Sequence, residues 1–318
     1  MRVVNNIEEY SAESLEGVNF DLIIASSGFE SRATYLACTR SLKSDYKYAV
    51  GFDNYRNLST RVTNDLKFKQ LGYELILASG NTENTIVNLL GKFEFKNNVI
   101  NILIDYSCMT RVWYASILKF FKKYSNEKIN TVNLFFSYSV AKYLPPPLEI
   151  VPNQYVNPID NSFRISNPQK PTALVIGLGN ENIRAFGLKE LFDAETYVFY
   201  TDNSKNNRFS FDVEECNREL LDIISEENIF KYPLEHLSYL NFVLHFLCKK
   251  LEQRFKIIIA PCGPKPFTLI ALLNSLMLAD TSVWRISPGE KASPVDREAC
   301  GDILIAKIQF VTDVYFNS

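Results

Sequence analysis

Histidine is nearly missing from this chain: His236 and His245 are the only two in 318 residues. A histidine-based metal centre or a Ser–His hydrolase is therefore a poor starting hypothesis. The six cysteines (Cys38, Cys108, Cys216, Cys248, Cys262 and Cys300) form no CxxC pair. That spacing suits neither zinc nor a disulfide framework, and predicts reduced thiols in a cytoplasmic protein. Net charge is only −2, so no global field favours wrapping duplex nucleic acid. No apolar run reaches the roughly 18 residues of a membrane span, and MRVVNNIEEYSAES at the start lacks the apolar core of a signal peptide. The dinucleotide fingerprint GxGxxG is absent, since GLGNEN does not fit it, and so is the GxxxxGK[ST] phosphate loop. Redox cofactors drop in rank, and no cofactor is expected.

What is present is apolar and periodic. With 47% apolar residues the chain can bury real cores, and its length suggests two domains. Short runs of β-branched and aromatic residues alternate with helical patterns. Strands are predicted over 21–28, 48–54, 73–79, 99–107 and 131–139. The helices between them fall near 31–42, 59–71, 82–93 and 110–124. After a polar, Pro-containing stretch the order restarts. Strands follow at 173–179, 197–203, 228–234, 256–263 and 282–289, with a last strand pair at 303–310 and 311–316. Strand alternating with helix is the pattern of a mainly parallel sheet. The fold class expected is α/β: two tandem Rossmann-like domains, residues 1–160 and 165–318, related by internal duplication.

Specific residues repeat at separations of 149 to 152. Gly28, Glu30 and Arg32 match Gly179, Glu181 and Arg184, the last with one inserted residue. Tyr48, Asp53 and Asn54 match Tyr197, Asp202 and Asn203. ILIDYSCMTR and IIIAPCGPKP both end the fourth strand in a small-residue turn and a cation. Lys142 and Pro145 match Lys291 and Pro294.

These positions sit at the carboxyl ends of predicted strands, where open α/β sheets bind ligands. Gly28 and Gly179 permit a close backbone approach, and the following helix starts favour an anion. Arg32 and Arg184 either pair with a phosphate or neutralise Glu30 and Glu181. Asp53 and Asp202 either accept from ribose hydroxyls or serve as turn residues. The fourth-strand turns carry the sharpest chemistry. One offers Asp105, Ser107, Cys108 and Arg111; the other offers Cys262, Gly263 and Lys265, with Lys265 between two prolines. The second either presents amides and charge to an anion or is a stiff helix entry. Nucleophilic catalysis by Cys108 or Cys262 is disfavoured for want of a base nearby. The fifth-strand segments add Tyr138, Lys142 and Tyr143 in one half and Arg285, Ser287, Glu290 and Lys291 in the other.

Ser26-Ser27-Gly28 after strand 1, with Asp105-Tyr-Ser-Cys-Met-Thr-Arg111 or Cys262-Gly-Pro-Lys265 after strand 4, resembles the CRISPR-associated Rossmann-fold (CARF) sensor domains. Arg111 and Lys265 match the cation of that family's Gly-Gly-Thr-Lys-type turn, and Gly263 matches one glycine. The resemblance implies binding of a cyclic oligoadenylate between two domain copies and a role in antiviral defence. No Arg-x4–6-His nuclease motif involves either histidine, which leaves a stand-alone binder or a degrader of the signal.

The leading expectation is a sensor-like protein with a composite site for a phosphate-bearing nucleotide or cyclic oligonucleotide. Its ligand-binding residues would be Gly28, Glu30, Arg32, Asp53, Ser107, Arg111, Gly179, Arg184, Asp202, Cys262, Gly263, Lys265 and Lys291, with no metal. If a bond is broken, Asp105 or Glu181 would act as base. The alternatives are a nucleotide- or nucleoside-processing transferase or hydrolase, and a non-catalytic subunit bound to a protein partner.

Overall fold

The computed structural model describes residues 2–146, 152–159, 169–181, 183–202, 207–289 and 294–312. The chain is mixed α/β and divides into two compact units, Met1–Lys142 with Pro294–Ser318, and Tyr143–Ser293.

The first unit holds β1 (Arg2–Glu9), β2 (Leu22–Ser27), β3 (Lys47–Phe52), β4 (Glu74–Ala78), β5 (Val99–Asp105) and β6 (Thr131–Ala141). Helices α1 (Tyr35–Thr39), α2 (Ser59–Gln70), α3 (Asn84–Lys92) and α4 (Arg111–Lys123) lie between its strands. The second holds β7 (Tyr155–Pro158), β8 (Thr172–Gly177), β9 (Glu195–Thr201), β10 (Ile229–Tyr232), β11 (Lys256–Pro261) and β12 (Thr281–Ser287). Its helices are α5 (Arg184–Phe192), α6 (Asn207–Cys216), α7 (Arg218–Leu221), α8 (Leu237–Leu251) and α9 (Lys265–Met277). The last strand, β13 (Ala299–Thr312), returns to the first sheet.

The seven-stranded sheet runs β1-β13-β6-β5-β2-β3-β4 and the six-stranded one β10-β9-β8-β11-β12-β7. In each, five neighbouring strands are parallel, in the order third, second, first, fourth, fifth. That is the order of a doubly wound Rossmann-type sheet, with its switch point between the first and fourth strands. The central strands are continuous apolar runs because both their faces are covered. All six residues of β2 are buried, as are five of six in β8 and β11.

Three sequence expectations need correction. The segment after residue 294, expected in the second domain, belongs to the first unit, so the boundary lies at Lys142 and Tyr143 with the C-terminal strand crossing back. β13 pairs antiparallel with both β6 and β1. Ala306, Ile308 and Phe310 are buried there, an alternation that announces a half-buried strand but not its sheet. The strand expected at 303–310 is part of one 14-residue strand, irregular between Ala299 and Ile303, where Gly301 takes φ 116°; residues 313–316 of its expected companion lie outside the described residues. Finally, no strand is expected before residue 21 or in the polar stretch ahead of residue 173, yet β1 and β7 form there as polar edge strands. β1 is anchored by the buried Arg2, which donates to the carbonyls of Ile129 (2.6 Å), Asn130 (3.2 Å) and Tyr124 (3.1 Å).

Removing residues 294–318 should therefore unravel the first sheet, because β1 then has no partner and β6 has a bare edge. Limited proteolysis is expected to cut rapidly within residues 2–142 of the truncated chain. Resistance equal to that of the full chain would contradict the pairing.

Candidate functional site

The carboxyl ends of β2 and β5 meet through a close contact. A Cβ placed on Gly28 would lie 3.1 Å from Cys108 Cβ. The second unit repeats the contact more tightly. A Cβ on Gly179 would lie 2.3 Å from the Cys262 carbonyl oxygen, and one on Gly263 would lie 2.2 Å from that of Leu178. Glycine is required at both because backbone touches backbone.

An amide braces each contact. Asn64 of α2 is buried and donates from Nδ2 to the carbonyls of Gly28 (3.0 Å) and Glu30 (2.9 Å). Asn217, just after α6, is also buried and donates to the carbonyls of Gly179 (2.9 Å) and Val213 (2.7 Å). Sequence reasoning missed both residues, although their 153-residue separation follows the repeat. Beside Asn64, Asp65 accepts from Ser27 Oγ (2.5 Å) and Arg61 Nε (2.8 Å), and Arg61 also donates to the Phe52 carbonyl (2.8 Å). The i, i+4 spacing of Arg61 and Asp65 on a helix was the available signal.

Arg32 is buried inside the first unit, with 4% of its side chain exposed. Its Nε donates to Glu30 (2.6 Å) and its Nη1 to Tyr138 Oη (3.1 Å) and the Ser139 carbonyl (3.0 Å). Burial opposes its charge, but Tyr138, Glu30 and Cys108 outweigh that and raise its pKa above the ordinary arginine value. Glu30 also accepts from Arg297 (3.2 Å), and Asp296 accepts from the Ser31 amide (2.6 Å) and hydroxyl (2.9 Å). The β13 approach thus locks the strand-1 turn. In the second unit Arg184 pairs with Glu181, an ion pair at the same place in the topology. Ile183 between them adopts φ 66°. A β-branched residue is strained in that region.

Asp105 is buried and accepts from the Ser107 amide (3.1 Å) and hydroxyl (2.6 Å). Ser107 Oγ in turn accepts from the Ser139 amide (2.8 Å). The two residues tie the fourth-strand turn to β6.

The cations that follow occupy matched positions. Arg111 begins α4 and Lys265 begins α9, each helix 13 residues long. Thr110 caps α4 by accepting from the Trp113 amide (3.4 Å), while Pro264 and Pro266 flank Lys265 at the start of α9. Asp53 and Asp202 are exposed at the second-strand ends, and their amides donate to the third-strand carbonyls of Ala78 (3.1 Å) and Tyr232 (2.8 Å). Lys142 pairs with Glu298 (2.5 Å), Tyr143 donates to Asp212, and Arg285 lies 4.2 Å from the Tyr155 ring centroid. Asn203, Glu290 and Lys291 lie outside the described residues. No group of three or more His, Cys, Asp or Glu suited to a metal occurs among the described residues, and no described helix is long and apolar enough to cross a membrane.

No protein-family model matches the chain, and no curated protein matches it. Among solved structures it is similar to the cytoplasmic domain of a prokaryotic cation chloride cotransporter, at 12% identity over 86% of this chain and 97% of that one. The TM-score is 0.23, too low to carry an argument about fold or function.

Two predictions separate structural from ligand-facing residues. Arg32→Ala should cost on the order of 3–5 kcal/mol, because it removes one partner of a buried ion pair; an unchanged denaturant midpoint would contradict that role. Gly179→Ala should destabilise by about 1–3 kcal/mol through overpacking. Gly187→Ala, inside α5 with nothing within 4 Å of its added Cβ, should instead stabilise by about 0.5–1 kcal/mol. Chemical denaturation of the two variants reads the opposite signs.

Proposed function

We propose that the two units are copies of one Rossmann-like domain and that the chain is a CARF-like sensor in antiviral defence. Its ligand is a phosphate-bearing nucleotide, cyclic oligonucleotides included, held at the carboxyl ends of the parallel strands. The duplication is supported by the shared strand order and by matched contacts: Gly28 with Cys108 and Gly179 with Cys262, Asn64 and Asn217 on the glycine carbonyls, Asp53 and Asp202 on the third strand.

One observation carries the ligand reading. Each unit sets a cation, Arg111 or Lys265, at the first residue of a 13-residue helix directly after the fourth strand, beside the switch point. Helix N-terminus and cation together favour a phosphate group. Asp53 and Asp202 supply exposed carboxylates at the neighbouring strand end, suited to sugar hydroxyls. Arg32 and Arg184 hold Glu30 and Glu181, so they shape the turn. Binding is favoured over catalysis because Asp105, the best base in the sequence, is buried and engaged by Ser107.

Thermal-shift screening of mononucleotides, dinucleotides and cyclic oligonucleotides tests this reading. A ligand at a hundred times its Kd should stabilise the protein by about 2.7 kcal/mol. Arg111→Ala and Lys265→Ala together should abolish the shift. A panel in which no anionic ligand raises the midpoint would overturn the proposal. Mass spectrometry of the recovered ligand should find it intact.

A further inference from the structure

Helix α8 carries a feature that no ligand site explains. Its inner face (Leu237, Leu240, Leu244, Leu247, Cys248 and Leu251) is buried in the second unit. Its outer face is aromatic: Tyr239, Phe242 and Phe246 are 49%, 69% and 67% exposed. The rings of Phe242 and Phe246 stack at 6.5 Å and 19°. Exposed aromatics at i, i+3 and i+7 form one continuous stripe, where a solvated helix face would be polar.

The fold does not demand this stripe. Helix α3, which likewise joins the third and fourth strands, exposes Asn84 and Asn88 instead. A soluble solution was therefore open at the same place in the topology.

We propose that the α8 stripe is an interface between two copies of this chain, paired antiparallel about a two-fold axis near Phe242. The charge order along the helix selects this occupant. Half-buried Glu235 stands in the turn before α8, the aromatics follow, and the exposed Lys250 ends it beside Lys249, which also pairs with Glu252 (2.5 Å). Reversing one helix against its equal places Glu235 opposite the lysines at both ends and aromatic against aromatic between them. That self-complementarity is what an isologous interface requires. Aromatic anchors in the centre and charges at the rim are the usual distribution of binding energy. Three aromatics form a small core, so the dimer is reversible and assembles at micromolar concentration.

Sedimentation velocity on the full chain from about 1 to about 100 µM tests the proposal across that range. The wild type should shift from monomer to dimer, and Phe242→Glu with Phe246→Glu should stay monomeric throughout. Because both rings are exposed, the thermal midpoint of that variant should be unchanged. A second set of variants does not depend on removing the aromatics. Lys249→Glu with Lys250→Glu should weaken dimerisation at least about tenfold, and adding Glu235→Lys to them should restore it. A wild type that remains monomeric at the highest concentration overturns the proposal. So does a dimer that survives the double glutamate substitution, and failure of Glu235→Lys to restore pairing overturns the antiparallel order.

Discussion

Everything at the strand ends of each unit depends on how closely the strand-1 turn and the fourth-strand turn approach. In the second unit that distance is set by backbone alone: Gly179 meets the Cys262 carbonyl and Gly263 meets that of Leu178, with no room for a Cβ at either. The first unit keeps the same pairing but fills it with a side chain, Cys108 against Gly28. The following helix starts immediately beyond, so the contact fixes where Arg111 and Lys265 begin their helices. A buried amide on each glycine carbonyl satisfies the acceptor that such a tight turn would otherwise strand. The cost of losing that bond falls on the desolvated carbonyl left behind.

The first unit solves its packing with buried guanidinium groups. Arg2, Arg32 and Arg61 are 2%, 4% and 1% exposed, and each donates to main-chain carbonyls. The planar fork of arginine reaches several acceptors at once, which a lysine ammonium cannot do with the same geometry. Arg61 also explains Gly51, because a Cβ there would lie 2.2 Å from Arg61 Nη2. These side chains are consumed by the fold. The strand-1 arginine therefore reads the same in sequence whether it faces a phosphate or a buried glutamate. Tertiary contacts decide between them: Tyr138 and the Ser139 carbonyl of β6 hold Arg32, and Arg297 holds Glu30.

The sequence disclosed the elements whose pattern is dictated locally. β2, β8 and β11 are apolar runs because both faces are covered, and α4 and α9 begin at a cap or a proline beside a cation. It concealed what depends on a distant partner. β1 and β7 are polar edge strands that pair with β13 and β12, far away in the sequence. β13 shows a clear alternation, but nothing local says it crosses back to β6. Helix α6 buries Val213 and packs Phe209 on the second unit's core, but its few apolar residues among charged ones left no helical pattern to read. Asn64 and Asn217 were invisible because one asparagine in a helix is ordinarily a surface residue; burial and a carbonyl acceptor gave them their role.

Residues that a fold consumes cannot also choose a ligand, and this narrows the strand ends considerably. Glu30, Arg32, Asp105 and Ser107 are engaged with one another's turns. Asp53 and Asp202 are different. Their main-chain amides are bound to Ala78 and Tyr232, which fixes the backbone, while their carboxylates remain exposed. A rigid backbone carrying an exposed polar group is the arrangement that recognises a ligand without paying again to order the loop. Arg111 and Lys265 combine a helix start with a charge. Divergence between the units is then informative: one cation follows a threonine cap and the other stands between prolines, so the two turns hold similar charges with different stiffness.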